Sequence, residues 1–320
     1  MRAVWVADGS VSLRDDVPPA VHAVGAPAEC RVAVLSAGLC ATDLALVRGY
    51  MGFVGVPGHE FVGRALDGPL AGQRVVGEIN AGCGRCADCA RGDSRHCAQR
   101  TVLGILGRNG AFARELSLPQ ANLLAVPDGI ATDEAVFAEP LAAALAILEQ
   151  VEAGRGTRAL VAGDGRLGLL VAHVLCRAGA EVTVAGHHAS RAALLPARAR
   201  HVEGLLERPP ARRFDLAVEA TGRADSLASL LPHVRPRGTV VLKTTSELPA
   251  PLDLSPLVVD EQRLVGSRCG RLAPALELLA GHAVPVQEFI EARYPLERAL
   301  DALAHAGRRG VLKVLIDVAR

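Results

Sequence analysis

The segment RALVAGDGRLG, residues 158–168, decides the fold of the second half of the chain. A short buried strand is predicted over 158–162. It leads into three glycines spaced G-x-G-x-x-G, and a helix is predicted to follow over 169–178. A second strand is predicted over 181–185. Such glycines allow a tight turn and close backbone approach, and the helix N-terminus receives a pyrophosphate. The unit therefore predicts a dinucleotide site, as opposed to a plain glycine-rich turn. Its candidate residues are Gly163, Gly165, Arg166, Leu167 and Gly168.

The end of the second predicted strand carries no acidic residue. An Asp or Glu there typically binds the ribose 2′-hydroxyl of NAD. The sequence instead reads Gly186, His187, His188, Ala189, Ser190 and Arg191. The missing carboxylate removes repulsion against a 2′-phosphate, which His187, His188 and Arg191 could face. The sequence thus favours NADP over NAD, and the alternative is that these are solvated residues at a helix start.

Strands and helices continue to alternate after this unit. Strands are predicted over 214–219, 238–243 and 264–266, with a helix around 226–234. This alternation predicts an α/β fold with a doubly wound parallel sheet. By contrast, residues 1 to about 130 show short apolar runs between Gly, Pro and Asp turns, which is typical of a mostly-β domain.

Composition limits the classes of function. A chain of 320 residues predicts about two domains, and the formal charge of +1 argues against nucleic-acid binding. No secretory signal is found, and no apolar segment is long enough to cross a bilayer. We therefore expect a cytoplasmic protein whose eight cysteines bind metal or remain free thiols.

Four cysteines lie close together in the first domain, with the spacing C-x2-C-x2-C-x7-C. They are Cys83, Cys86, Cys89 and Cys97. Four thiolates suit a closed tetrahedral zinc site, which is structural because no position stays open. Ferredoxin motifs begin similarly but continue C-x3-C-P, a continuation that is absent here. Zinc is therefore the favoured metal.

A second group of possible ligands precedes this lobe. Cys40, His59 and Glu60 offer sulfur, nitrogen and oxygen donors near predicted turns, and a catalytic zinc uses such donors with one position left open. Thr42 is a neighbouring hydroxyl that could pass a proton. Alone, this pattern is also compatible with a buried structural Cys–His pair. Glu139, before Pro140, is an ordinary helix-start residue unless other ligands accompany it.

Taken together, these features resemble the zinc-dependent medium-chain dehydrogenase/reductase family, which includes alcohol, polyol and threonine dehydrogenases. The likeness covers essentially the whole chain. It is carried by the following segments: GLCATD (38–43), PGHE (57–60), the four-cysteine lobe, EPL (139–141), the glycine turn (163–168) and EATG (219–222).

The resemblance implies a GroES-like catalytic zinc-binding domain over 1–138 and 270–320, and a Rossmann dinucleotide domain over 139–269. It implies two zinc ions per chain. Cys40, His59 and Glu139 would bind the catalytic zinc, and Glu60 would be either a direct ligand or a carboxylate that switches on and off the metal. Thr42 would relay the hydroxyl proton, and Thr221 would join the cofactor site. The implied activity is NAD(P)-linked hydride transfer from an alcohol or polyol, in a homodimer or homotetramer.

Two alternatives stay open at this point. One is a carbonyl reductase that works in the reverse direction, and the other is a zinc-ribbon interaction protein without catalysis. The resemblance also has a departure, because many relatives carry a His three positions after the relay hydroxyl, where this chain has Ala45.

Overall fold

The computed structural model describes residues 1–19, 27–210, 212–245 and 252–319. The chain packs into two compact units. Unit 1 comprises Met1–Glu139 and Leu272–Arg320, and unit 2 comprises Pro140–Arg271. Unit 2 is therefore an insertion within the sequence of unit 1.

The first segment of unit 1 consists mainly of short strands. These are β1 (Ala3–Ala7), β2 (Ser10–Arg14), β3 (Glu29–Gly38), β4 (Glu60–Ala65), β5 (Arg74–Gly77), β6 (Asn80–Ala81), β7 (Thr101–Val102), β8 (Glu115–Pro119) and β9 (Leu123–Ala125). The helices are α1 (Ala41–Val47), α2 (Ala87–Ala90), α3 (Thr132–Ala135) and α4 (Ala138–Leu145), which runs on into unit 2. Short 3₁₀ turns lie at Tyr50–Gly52, Ser94–His96 and Gln120–Asn122.

Unit 2 alternates strands with helices. Its strands are β10 (Arg158–Ala162), β11 (Glu181–Gly186), β12 (Ala199–Glu203), β13 (Phe214–Glu219), β14 (Val234–Leu242) and β15 (Arg263–Gly266). Its helices are α5 (Arg166–Arg177), α6 (Ser226–Leu230) and α7 (Ser255–Val259), with 3₁₀ turns at Ala146–Glu149, Ala189–Leu194 and Leu231–His233. Unit 1 then closes with α8 (Leu272–Ala280), β16 (Ile290–Pro295), α9 (Ala299–Ala306) and β17 (Lys313–Asp317), and 3₁₀ turns at Val286–Phe289 and Leu296–Arg298.

The sheet of unit 2 has six parallel strands in the order β12-β11-β10-β13-β14-β15. Counted along the chain this order is 3-2-1-4-5-6, the arrangement of a dinucleotide-binding fold. The central strands are apolar, and Leu160, Ala217 and Val240 lie wholly inside the core. The predicted doubly wound sheet is confirmed. Because its strands are parallel, the ends of β10, β11 and β13 share one edge.

The main sheet of unit 1 places the candidate metal ligands. Strand β3 pairs antiparallel with β4, β8 and β17, so that Gly38 lies opposite both Glu60 and Leu315. The next backbone amide, that of Leu39, donates to the carbonyl oxygen of Val314 at 3.0 Å. The end of β3, the start of β4 and the start of β17 therefore meet at one point.

Strand β12 was not predicted from the sequence. Its five residues, ARHVE, include three ionisable side chains, and each of the five is half-buried or exposed. A strand at the edge of a sheet needs little apolar surface, so its sequence carries a weak signal. Within the described ranges, every helix is too short or too polar to serve as a membrane span.

Candidate metal and dinucleotide sites

Three of the four side chains predicted to bind a catalytic zinc come together in unit 1. Cys40, His59 and Glu60 each offer one ligand atom, and these atoms all lie within 4.8 Å of one another. Cys40 is half-buried, whereas the exposed fractions of His59 and Glu60 are 4% and 1%. Sulfur, imidazole nitrogen and carboxylate oxygen form a donor set that zinc accepts.

Asp43 positions this group, although no sequence motif identifies it as part of the site. Its carboxylate is fully buried and accepts hydrogen bonds from the Cys40 amide (2.8 Å), the Gly58 amide (3.1 Å) and His59 Nδ1 (3.2 Å). A carboxylate can only accept, so Nδ1 of His59 carries the proton and Nε2 is left to bind a metal. The signal in the sequence was its place three residues after Cys40, in the first turn of α1, where an acidic side chain reaches back to the preceding amide.

The turn before His59 requires glycine. Gly58 has a φ of +99°, and a Cβ at this position would lie 2.6 Å from the ring of Phe112. Both features exclude a side chain. The Pro57-Gly58 turn therefore fixes the backbone that positions His59 beside Cys40 and Glu60.

Glu60 is held by a buried lysine. Its Oε2 accepts a hydrogen bond from Lys313 Nζ and forms an ion pair with it. Both side chains are at most 1% exposed. Lys313 Nζ also lies 3.3 Å from the Leu39 carbonyl oxygen and 5.4 Å from the centre of the Phe137 ring. The other oxygen, Oε1, is buried without a hydrogen-bond partner among the described residues. A buried acceptor lacking a donor is costly, and a cation would satisfy it, so this group fits a metal.

Burial alone would lower the pKa of the His59 imidazole. The charge of Asp43 and its hydrogen bond, together with the Cys40 thiol, outweigh burial and raise the pKa well above its usual value. In the metal-free protein the ring therefore binds a proton readily, and metal binding at Nε2 must displace it.

Glu139 and Thr42 are the two remaining residues predicted for the catalytic zinc site. Glu139 is half-buried near the start of α4. In the described part of the chain, the group of ligand atoms within 4.8 Å of one another comprises those of Cys40, His59 and Glu60 and does not include Glu139. Its role as a ligand remains a prediction. Thr42 is half-buried on α1, and its Oγ1 lies 3.9 Å from Cys40 Sγ. Its hydroxyl is thus beside the thiol, as a relay would require.

The four-cysteine lobe forms a second group whose sulfur atoms all lie within 4.8 Å of one another. The Sγ atoms of Cys86 and Cys97 are 3.6 Å apart, and all four side chains are free thiols. A tetrahedral zinc with bonds of about 2.3 Å separates its sulfurs by roughly 3.8 Å. The spacing therefore fits a structural zinc.

The local backbone favours a thiolate in this lobe. Amide hydrogen bonds from Arg85 and Cys86 lower the pKa of the Cys83 thiol to about 6, against the effect of burial. Burial raises the pKa of the Cys89 thiol to about 11. A cation bound among the sulfurs would favour the deprotonated form of both.

In unit 2 the glycine turn has the geometry that its sequence predicts. Gly163 has a φ of +104°, and a Cβ there would lie 2.7 Å from the Ala220 carbonyl oxygen. A Cβ at Gly168 would collide with the backbone of Gly163. A Cβ at Gly165 would meet nothing within 4 Å. The space in front of Gly165, at the start of α5, is therefore open, as the predicted pyrophosphate site requires.

Two residues after β11 contact Asp164, which lies in the glycine turn but is not one of its motif glycines. His188 and Arg191 both bond to Asp164, whereas His187 is exposed. Among the described residues, four donor groups bond to the buried Asp164 carboxylate: the His188 amide, the His188 ring, Arg191 and the His201 ring. Burial opposes its charge, but the bonds from His188 and His201, with the charge of Arg191, lower its pKa to about 2.

Thr221 follows β13, next to the glycine turn. A Cβ at Gly163 would lie 3.0 Å from the Thr221 Cα. The Thr221 amide and hydroxyl donate to Glu219 Oε1 at 2.8 and 2.7 Å. Thr221 therefore lies at the sheet edge where a dinucleotide would bind, with its hydroxyl already engaged.

Comparisons with known proteins agree with this arrangement. Residues 26–128 match the alcohol dehydrogenase GroES-like domain. A D-altritol 5-dehydrogenase from Agrobacterium fabrum is 30% identical over 297 residues, which cover 86% of this chain and 87% of that protein.

Solved structures share the fold over almost the full length. Alcohol dehydrogenase TADH from Thermus sp. ATN1 superposes with a TM-score of 0.87 at 27% identity, covering 99% of this chain and 100% of that one. A putative zinc-binding dehydrogenase from Sinorhizobium meliloti, bound to NADP, has a TM-score of 0.86 at 25% identity and covers 99% of each chain.

The chain therefore belongs to the zinc-dependent medium-chain dehydrogenase/reductase family. Its GroES-like and Rossmann domains are those of this family, and the chain is a zinc-dependent, NAD(P)-linked oxidoreductase of the alcohol dehydrogenase type. This finding excludes the alternative hypothesis of a zinc-ribbon interaction protein without catalysis.

Proposed function

We propose that this enzyme transfers hydride between a hydroxyl-bearing carbon of an alcohol or polyol and NAD(P), with Cys40, His59 and Glu60 around its catalytic zinc. The observation that carries the assignment is the convergence of three ligand atoms within 4.8 Å, one of them on a buried carboxylate whose Oε1 has no partner among the described residues. Glu139 remains a proposed further ligand.

A zinc ion in this group would act as a Lewis acid that polarises the substrate oxygen and lowers its pKa. The protein's own residues prepare the site. Asp43 fixes the tautomer of His59 and the backbone of Cys40. Lys313 holds one oxygen of Glu60 and leaves the other for the metal. The Thr42 hydroxyl would take the proton of the substrate hydroxyl and pass it on, through water beyond Ala45.

The four-cysteine lobe is the proposed site of a second, structural zinc. Four sulfurs complete a tetrahedral site, so that no position remains for substrate. We accordingly expect two zinc ions per chain, and we assign the catalytic domain to unit 1 and the dinucleotide domain to unit 2.

The dinucleotide would lie on the glycine turn of unit 2, with its pyrophosphate at Gly165 and its adenosine ribose near Gly186. The sequence favours NADP, and a related structure holds NADP. The absence of a side chain at Gly186 is consistent with this preference, but Asp164 introduces a carboxylate beside it.

Polyols are the substrate class we favour among alcohols, because D-altritol 5-dehydrogenase is a relative along most of the chain. A cytoplasmic homodimer or homotetramer remains the expected form. A panel of simple alcohols, polyols and sugar acids, each followed at the nicotinamide absorbance with NAD and NADP, tests the proposal. Oxidation of a polyol with at least tenfold higher kcat/KM than ethanol is expected, and no dinucleotide reduction across the panel would contradict it.

A further inference from the structure

Asp164 occupies an unusual place in the dinucleotide domain. It stands between the first two glycines of the turn, and its carboxylate lies against Gly186, the last residue of β11. A Cβ built on Gly186 would fall inside that carboxylate. The acidic group that the sequence lacks at the end of β11 is therefore supplied, in space, from the glycine turn.

The hydrogen bonds around this carboxylate use the donors expected to hold a 2′-phosphate. The His188 amide donates to Oδ2 at 2.8 Å, and the His188 ring nitrogen Nδ1 lies 3.0 Å from Oδ1. Arg191 Nη1 lies 3.2 Å from Oδ1 and donates to the Asp164 carbonyl oxygen at 2.5 Å. The ring of His201, on β12, bonds to Oδ2 at 3.1 Å.

Burial makes this arrangement firm. The side chains of Asp164, Arg191 and His201 are only 7%, 9% and 4% exposed. Ion pairs and charged hydrogen bonds in such a position are stronger and more fixed than those at the surface. Arg191 is thus directed at an internal anion and is engaged there.

We propose that Asp164 is a specificity-determining residue that selects against the 2′-phosphate of NADP. Its negative charge repels that phosphate, and it holds the His188 amide, the His188 ring and Arg191 on itself. This inference rests on the proposed dinucleotide site, and it opposes the preference for NADP that the bare sequence suggests. The wild-type enzyme accordingly binds NADH at least as tightly as NADPH.

The test is the replacement Asp164→Asn, which keeps the shape of the side chain and removes its charge. Titration of the zinc-loaded protein with NADH and with NADPH, followed by nicotinamide fluorescence, gives the two Kd values. The ratio of Kd for NADPH to Kd for NADH is expected to fall about tenfold or more, because a repulsive charge is lost and donors are released. Asp215→Asn is the matched control, since Asp215 pairs with Arg158 and Arg235 at the opposite end of the strands and should leave the ratio unchanged.

Three results would overturn the inference. They are an unchanged ratio in Asp164→Asn, a ratio that rises because Asp164 in fact orients a phosphate cradle, and a wild type that binds NADPH more tightly than NADH. The wild-type titration decides even if the variant does not fold, and Asp164→Ser provides a second uncharged variant. Failure of the wild type to bind either dinucleotide would instead refute the proposed function.

Discussion

Replacement of Lys313 by methionine should strongly destabilise unit 1. Methionine fills much of the same volume but leaves the Glu60 carboxylate without its cation at a site that is 1% exposed. The Lys313 ammonium is fully buried, and it also loses its contacts with the Leu39 carbonyl and the Phe137 ring. Breaking one side of a buried ion pair costs about 3–5 kcal/mol, because the remaining charge is left uncompensated. We expect this loss in the free energy of unfolding of the metal-free protein.

A double-mutant cycle separates the lost pair from lost packing. Glu60→Met leaves Lys313 buried without its carboxylate and should cost a similar ~3–5 kcal/mol. The double variant, with methionine at both positions, contains no buried charge and should lose no more than about 2 kcal/mol. The coupling energy between positions 60 and 313 should therefore be ~4 kcal/mol or more.

Urea unfolding of chelator-treated protein, followed by tryptophan fluorescence, is the appropriate assay. The chain has one tryptophan, Trp5 on β1, so this signal reports on unit 1. Lys243 is the chain's other lysine, and it donates to the Ala143 and Arg268 carbonyls within unit 2. Lys243→Met is thus a matched control that should leave the Trp5 transition in place. Additive losses in the cycle would refute the reasoning.

Three further predictions follow from the same structure. Thr42→Val should lower kcat by a factor of roughly 10²–10⁴, because a positioned proton relay contributes about that factor. Steady-state kinetics measures this loss, and metal analysis should show an unchanged zinc content. An unchanged kcat would remove Thr42 from the mechanism. Cys97→Ser should lose one zinc and expose the lobe 83–97 to proteolysis while Cys30→Ser does neither, since Cys30 lies outside both metal groups. The pKa of Asp164 is lowered from 3.8 to about 2, so its ionised carboxylate stabilises the folded state above about pH 4. The free energy of unfolding of the wild type should therefore fall by about 2 kcal/mol as the pH is lowered through 2, whereas that of Asp164→Asn should not. Equal acid sensitivity of the two proteins would contradict this.

Local sequence carried much of the dinucleotide domain. Strand β10 was predicted to the residue, and the glycine turn has the backbone it implied, because a buried strand, a positive φ and a helix start each leave their own local signal. The pairing of Cys40 with His59 and Glu60 was also predicted, although through family resemblance and not through spacing alone.

The partners that tune these sites could not be read from the sequence. Lys313 reaches Glu60 across 253 positions because β17 pairs with β3, and no local pattern encodes that register. Asp164 meets Gly186 because β10 and β11 are neighbours, so that a side chain from the turn fills the space beyond the next strand. Both are buried charges whose partners depend on tertiary structure.

The zinc content of Cys40→Ser, measured beside its turnover, tests the catalytic assignment most directly. We predict two zinc ions per chain and polyol oxidation in the wild type, and one zinc and no oxidation in the variant, with NADH affinity and the lobe at 83–97 intact. A Cys40→Ser protein that keeps two zinc ions, or that turns over at the wild-type rate, would contradict the account.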